Sequence, residues 1–348
     1  MTEAAIMRRI RRLYASAPIQ NLTKDDRLVV ISDLHMGDGG KLDDFRHNGD
    51  LLLTALKEYY LPGGFHLLLN GDIEELQRFA APRIREQWAE LFHLFNAFHS
   101  TNGLTRLVGN HDLSPGRFSF DGDPPGHALR LRSETGEIFV FHGHQASRYG
   151  PLFNRLKGWV LRWIASPLRI RNYTVAFNSR RKYRYEKRAY QFARNHRIMA
   201  LIGHTHRPLF ESMSRLDTLK MQIESACREL ARTFDNELAK KTNQMKVEFF
   251  NLARSRKRYA GQSMLYDHGL LVPCLFNSGS GIGTGGITAI EFDRGKVNLV
   301  LWFLSSRNKR YMNVDGRKAQ CMAGADVHRI ALKTDDLGYI LTRIRLLS

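Results

Sequence analysis

The sequence is poor in cysteine and in acidic residues, and it has no long apolar run. Its three cysteines, Cys227, Cys274 and Cys321, lie far apart and form no CxxC pair. That argues against a disulfide framework or a thiolate zinc site and fits a reducing cytoplasm. No stretch approaches the roughly 18 uninterrupted apolar residues that a spanning helix needs, and the N-terminus MTEAAIMRRIRRLYASAP lacks a secretory apolar core. The expectation is a cytoplasmic protein, soluble or peripheral on the inner face of the membrane. Asp and Glu number 34 against 53 Lys and Arg, a formal charge of +19. The shortage of acid is local: from Arg155 to Arg197, thirteen Lys or Arg accompany a single acid, Glu186. Such a run argues for an anionic partner, whether a phosphate-rich substrate, an acidic membrane surface or nucleic acid. A solvated basic face is the plain alternative.

What is present is a repeated unit of short apolar run and polar terminus. LVVIS (28–32) leads into Asp33, HLLLN (66–70) into Gly71-Asp72, and TRLV (105–108) into Gly109-Asn110-His111-Asp112. IFVF (138–141) leads into His142, and MALI (199–202) into Gly203-His204-Thr205-His206. Helical spacing over 43–60 and 83–100 separates the early runs. Alternating strand and helix predicts an α/β fold whose site lies beyond the carboxyl ends of its strands. The segments 271–280, 286–292 and 296–303 read as a meander closing a second sheet.

Two stretches interrupt this plan. One is the basic segment 146–197. The other, 211–265, repeats Leu216, Leu219, Ile223, Ala226 and Leu230 at three- and four-residue steps and reads as a helical hairpin. KKTNQ (240–244) is its expected turn and Met245 to Tyr259 its returning helix. Core packing or self-association into a homo-oligomer is the role such a stripe predicts.

Asp33, His35, Asp72, Asn110, His142, His204 and His206 are O and N ligands with no thiolate. Seven such ligands exceed what one ion needs and imply two divalent ions, Mn²⁺ first, with Fe or Zn²⁺ also suited. Two ions about 3.5 to 4 Å apart can hold both the attacking and the leaving oxygens of a phosphoryl displacement, with Asp72 the natural bridge. The i, i+2 spacing of Asp33 with His35, and of His204 with His206, at strand ends aims each pair one way, because side chains alternate faces along a strand.

The ordered series Asp33-x-His35, Gly71-Asp72, Gly109-Asn110-His111-Asp112, His142-Gly143 and Gly203-His204-x-His206 resembles the calcineurin-like metallophosphoesterase family. Asn277-Ser278-Gly279-Ser280 is similar to the turn that follows its last histidines. The resemblance implies a two-sheet sandwich flanked by helices, here one domain over 1–348 with a basic helical cap (146–197) and the hairpin inserted. It implies one metal on Asp33, His35, Asp72 and His206, and a second on Asp72, Asn110, His142 and His204. His111 would be a general acid, apt because phosphate esters need leaving-group protonation and imidazole titrates near neutral pH. Glu75 stands where the family usually has the Asp that orients this histidine.

The cap suggests the substrate. Leu152, Leu156, Trp159, Val160 and Trp163 share one helical face flanked by Arg155, Lys157 and Arg162, the pattern of an interfacial helix or of an ordinary core helix. Helices inserted at this point resemble the UDP-2,3-diacylglucosamine pyrophosphatases, which implies a nucleotide-linked lipid held at a membrane surface. Arg180, Arg181, Lys182 and Arg184 would then meet the pyrophosphate or anionic headgroups. The rival expectations are a nucleic-acid phosphodiesterase, with Tyr173, Tyr183, Tyr185 and Tyr190 stacking bases, and a non-catalytic metal-stabilised scaffold.

Overall fold

The fold is seen in a computed structural model that describes residues 1–112, 125–148, 179–213, 215–233, 235–257, 271–314, 316–322 and 326–348. In chain order the first half comprises α1 (Glu3–Ser16), β1 (Ile19–Asn21), β2 (Arg27–Ile31), α2 (Gly49–Ala55), β3 (His66–Asn70), α3 (Ala81–Gln87), α4 (Ala89–Ser100), β4 (Leu104–Leu107), β5 (Ala128–Ser133) and β6 (Gly136–Phe141). The second half comprises α5 (Ser179–His196), β7 (Met199–Ile202), α6 (Arg215–Thr233), α7 (Asn236–Lys257), β8 (Leu275–Asn277), β9 (Ile287–Asp293) and β10 (Lys296–Leu304). After the short α8 (Ser305–Asn308) come β11 (Asn313–Val314), β12 (Arg317–Lys318), β13 (Gln320–Cys321), β14 (Val327–Asp336) and α9 (Leu337–Leu347).

Two mixed sheets result, as an α/β sandwich requires. One runs β13-β14-β10-β9-β2-β3-β4, with β2, β3 and β4 parallel; the other runs β1-β5-β6-β7-β8, with β6, β7 and β8 parallel. Strand periodicity explains the layering. Leu28, Val30 and Leu68 enter the core shared with Val140, Phe141 and Ile202 of the second sheet. Their neighbours Val29, Ile31, Leu67 and Leu69 enter a separate core under α2 and α4. Outside the smaller sheet, Tyr14 of α1 and Phe192 of α5 pack on Phe139 at ring distances of 5.1 and 5.8 Å.

Several expectations are corrected. The meander forms only in part: β9 and β10 pair antiparallel as expected, but β8 joins the smaller sheet beside β7, parallel to it, and the chain then crosses to the larger sheet. The helix expected over 83–100 breaks at Trp88, whose φ of −112° and ψ of 28° turn its indole to donate to Gly37 O at 2.9 Å. The helix expected from 43 starts at Gly49, because the Asp43 carboxylate accepts from the amides of Gly39 and Phe45, both at 2.9 Å, and holds a turn there. The hairpin turns at Asp235, not at 240–244: its carboxylate accepts from Glu237 N at 2.8 Å, capping α7, so KKTNQ lies inside the helix. Leu219 and Ala226 of α6 bury against Met245 of α7 in a small core of their own.

The second half of the basic segment is α5, a helix buried along one side by Tyr185, Ala189, Tyr190, Phe192 and Ala193. It packs against the smaller sheet, while residues 149–178 of the expected cap lie outside the described residues. Arg188 is spent inside the fold, donating to Ala146 O at 2.6 Å and to Glu3 of α1 at 2.5 and 2.8 Å.

Candidate metal centre

All five polar termini lie where the two sheets meet. β2, β3 and β4 deliver Asp33 with His35, Asp72, and Asn110 with His111; β6 and β7 deliver His142, and His204 with His206. Strand alternation is not what aims the paired ligands, because β2 ends at Ile31 and β7 at Ile202. Asp33, His35, Asp72, His204 and His206 instead all adopt left-handed backbone, with φ between 50° and 63°. Five non-glycine residues in that region is a concentrated strain of the kind that clusters at functional sites. Hydrogen bonds across the strand ends hold it: Asp33 N donates to Gly71 O and His35 N to Asp72 O, both at 3.0 Å.

The carboxylates are anchored through one oxygen, leaving the other without a partner. Asp33 Oδ2 accepts from His204 N at 2.9 Å and from the Ser32 hydroxyl; Asp72 Oδ1 accepts from His111 N at 2.7 Å. Asp33 Oδ1 and Asp72 Oδ2 are buried with no hydrogen-bond partner, as are Asn110 Oδ1, His142 Nε2, His204 Nε2 and His206 Nδ1. His142 donates its Nδ1–H to Asn70 O at 2.7 Å, which leaves Nε2 as the atom a metal would take in place of a proton, 3.1 Å from Asp72 Oδ2 and 3.9 Å from Asp33 Oδ1. His206 Nε2 lies 3.1 Å from Asp33 Oδ1 and 3.2 Å from His35 Nε2, which is itself 3.8 Å from Asp72 Oδ2. Buried orphan acceptors from both sheets, converging within these distances, fit divalent cations and fit little else. Asp33, His35 and His206 form one compact group and Asp72, His142 and His204 another, consistent with a dinuclear site.

A third group is His35, Glu75 and His111. Glu75 is buried, and its carboxylate accepts from His111 Nδ1–H at 2.8 Å. Burial alone would raise its pKa, but His111 and His35 hold it down to about 2. Burial likewise opposes ionisation of Asp33, yet His206 and His142 bring it down to about 2. Burial and the adjacent His142 drive His204 to about 3 and His144 well below the usual imidazole range, so both present neutral rings.

The family model for calcineurin-like phosphoesterases matches residues 26–208, more than half of the chain. The chain belongs to the calcineurin-like phosphoesterase family. It is a metallophosphoesterase with a buried His/Asp metal-binding cluster. Among solved structures, vacuolar protein sorting 29 from Cryptosporidium parvum aligns at 12% identity over 88% of this chain and 98% of that one, with a TM-score of 0.34. Yfce, a phosphoesterase from E. coli, aligns at 15% over 79% and 92%, with a TM-score of 0.33. A predicted phosphoesterase from Streptococcus pneumoniae aligns at 14% over 79% and 89%, with a TM-score of 0.29. None of these likenesses bears on what this phosphoesterase acts upon. No curated protein matches the chain.

Of the expected substrate contacts, Lys182 is half-buried on α5 near enough to the site for the charges of Glu186 and Asp33 to act on it, while Arg184 is exposed. The side chains of Arg180 and Arg181, and all of Leu152, Leu156, Trp159, Val160 and Trp163, lie outside the described residues. Sequence reading overlooked the layer behind the ligands. Glu186, fully buried, accepts from the Thr205 hydroxyl at 2.7 Å and pairs with Arg207, and Asn277 Nδ2 donates to Gly203 O at 3.0 Å. The signal for Glu186 was its solitude: a single acid in so basic a run is best explained by a fixed internal partner. Among the described residues, no helix is long and apolar enough to cross a membrane.

Proposed function

We propose that this phosphoesterase hydrolyses a phosphate ester or pyrophosphate bond at a dinuclear centre. Asp33, His35, Asp72 and His206 hold one ion, and Asp72, Asn110, His142 and His204 hold the other. The observation that carries this is the set of buried, unpartnered ligand atoms contributed by both sheets. Bound ions of this kind polarise phosphoryl oxygens and supply an activated water near neutral pH. The chain's own residues do the rest. Glu75 fixes the His111 ring through Nδ1–H, which leaves Nε2 to donate a proton to the departing oxygen. Lys182 of α5, on which the charges of Glu186 and Asp33 act, would offer a cation to the substrate phosphate.

For the substrate we favour a nucleotide-linked lipid of the UDP-2,3-diacylglucosamine type. Support comes from the charge of +19 and from the amphipathic, Trp-bearing sequence 150–172 that precedes α5. The test is hydrolysis of that lipid in mild detergent with Mn²⁺, followed by phosphorus NMR, with bis(p-nitrophenyl) phosphate as control. UMP and lipid phosphate are the expected products. Turnover of the aryl ester alone would replace the lipid by another phosphodiester, nucleic acid included, and no turnover of either would overturn the catalytic reading. His111→Ala should slow an ester with a poor leaving group about 10²–10⁴-fold and spare an activated aryl ester; equal losses would remove the acid role.

A further inference from the structure

We propose that Glu75 positions two imidazoles at once, the metal ligand His35 and the proton donor His111, so that one carboxylate sets the geometry of both halves of the centre. This rests on the dinuclear reading above. The His111 Nδ1 lies 2.8 Å from Glu75 Oε1 and 2.7 Å from Oε2, and the His35 Nδ1 lies 3.1 Å from the same Oε2, so Oε2 is the atom the two rings share. A carboxylate only accepts, so both Nδ1 atoms carry hydrogen, and each ring is left with Nε2 turned to its task. For His35 that atom faces His206 Nε2 at 3.2 Å and the carboxylates of Asp72 and Asp33 at 3.8 and 3.9 Å. The two rings stand edge to face, their centroids 4.6 Å apart, which is the arrangement that lets one planar carboxylate reach both.

The backbone enforces the sharing. Glu75 N donates to Met36 O at 3.0 Å, Met36 N to Ile73 O at 2.9 Å and His35 N to Asp72 O at 3.0 Å, so the segment bearing Glu75 is stitched to the segment bearing His35. Asp112, downstream of His111, joins the same frame by accepting from Glu74 N at 3.0 Å. An aspartate at position 75 would be one methylene shorter from the same anchored backbone. It could serve one imidazole and not the second, which gives the longer acid a physical purpose here. Partners behind a metal-bound histidine fix its ring and tune its basicity, and losing them commonly costs 10–100-fold in metal affinity.

The test separates the two attachments. Mn²⁺ affinity is measured by calorimetry on metal-free Glu75→Gln, Glu75→Asp, His35→Ala and the Glu75→Gln/His35→Ala pair, alongside the cobalt-loaded absorption spectrum and the rate ratio between poor and activated esters. We expect Glu75→Gln to lose roughly 10–100-fold in affinity, to change the cobalt spectrum, and to lose the poor-leaving-group preference. The affinity loss should vanish in the His35→Ala background, because the coupling runs through that ring. Glu75→Asp should regain the leaving-group preference without regaining the affinity, and it carries the comparison should Glu75→Gln fail to fold. Unchanged affinity with a lost leaving-group preference would confine Glu75 to His111 and overturn the proposal. So would an affinity loss that persists without His35, or an aspartate that restores both. Failure of the catalytic reading has a different signature: metal binding that responds to Glu75 in a protein that cleaves no phosphate ester.

Discussion

A Cβ on Gly109 would collide with both the carboxylate and the amide of Asp72. The residue before Asn110 must therefore be glycine for Asp72 to lie where it does. Gly109→Ala should destabilise the protein by about 1–3 kcal/mol and lower its metal content, read by thermal unfolding and elemental analysis. A full metal complement at an unchanged Tm would contradict so close an approach. A second expectation concerns pH. In the metal-free protein burial opposes charge on His35 and His142. The Glu75 hydrogen bond and Asp72 nevertheless push His35 up to about 9, and Asp72 with Asp33 push His142 up to about 10. A histidine raised above its ordinary 6.5 adds stability that is complete below that value and lost as pH climbs through 9 and 10. Metal ions compete for the same lone pairs. The Tm of the metal-free protein should therefore fall between pH 7 and 10 relative to that of the loaded protein; parallel curves would count against protonated rings. Residue types and spacing singled out Asp33, His35, Asp72, His142, His204 and His206, which the structure gathers, and not Glu186 behind them. How they gather was not legible, because left-handed backbone at Asp33 or His206 depends on hydrogen bonds to strands remote in sequence.

At the scale of elements, α6 and α7 bury Leu219, Ala226 and Met245 chiefly against one another, apart from the two sheet cores. Replacing residues 215–257 with a short Gly-Ser link should leave turnover of a small aryl ester and the metal content unchanged. A loss of either would place the hairpin in the architecture of the centre. The stripe that announced this hairpin was readable because helical periodicity is local. Its turn lies at Asp235 and not at 240–244 because the Asp235 carboxylate takes the first amides of α7, from Glu237 at 2.8 Å and Leu238 at 3.3 Å. Trp88 shows the same limit: nothing local in 83–100 announces a break, which follows from an indole donating to a carbonyl 51 residues away. α1 was passed over entirely, since only Ile6 and Ile10 of its fourteen residues are buried.

For the molecule as a whole, the matched span 26–208 does not close either sheet. β2 needs β9 on its far side and β7 needs β8, and both come later in the chain. A chain truncated after residue 208 should show no cooperative unfolding transition by circular dichroism; a sharp one would mean that the matched span is self-sufficient. The two-sheet plan was implied by the family resemblance that the strand-end motifs carry, whereas β14 was not legible. Its sequence VHRIALKTDD is buried only over its first half, and too few apolar residues alternate to announce a strand. The division of ligands between the sheets has one further consequence. Asp33, His35, Asp72 and Asn110 belong to one sheet and His142, His204 and His206 to the other, so each ion would act as a rivet through two plates. The gap between plates is filled by residues such as Val30, Leu68, Phe141 and Ile202, so their size would bear on the ionic radius that the rivet must match. Selectivity between metals would then depend on the apolar filling of the sandwich as well as on the ligands, and thinning a spacer should change the ratio of Mn²⁺ to Zn²⁺ affinity without touching a ligand.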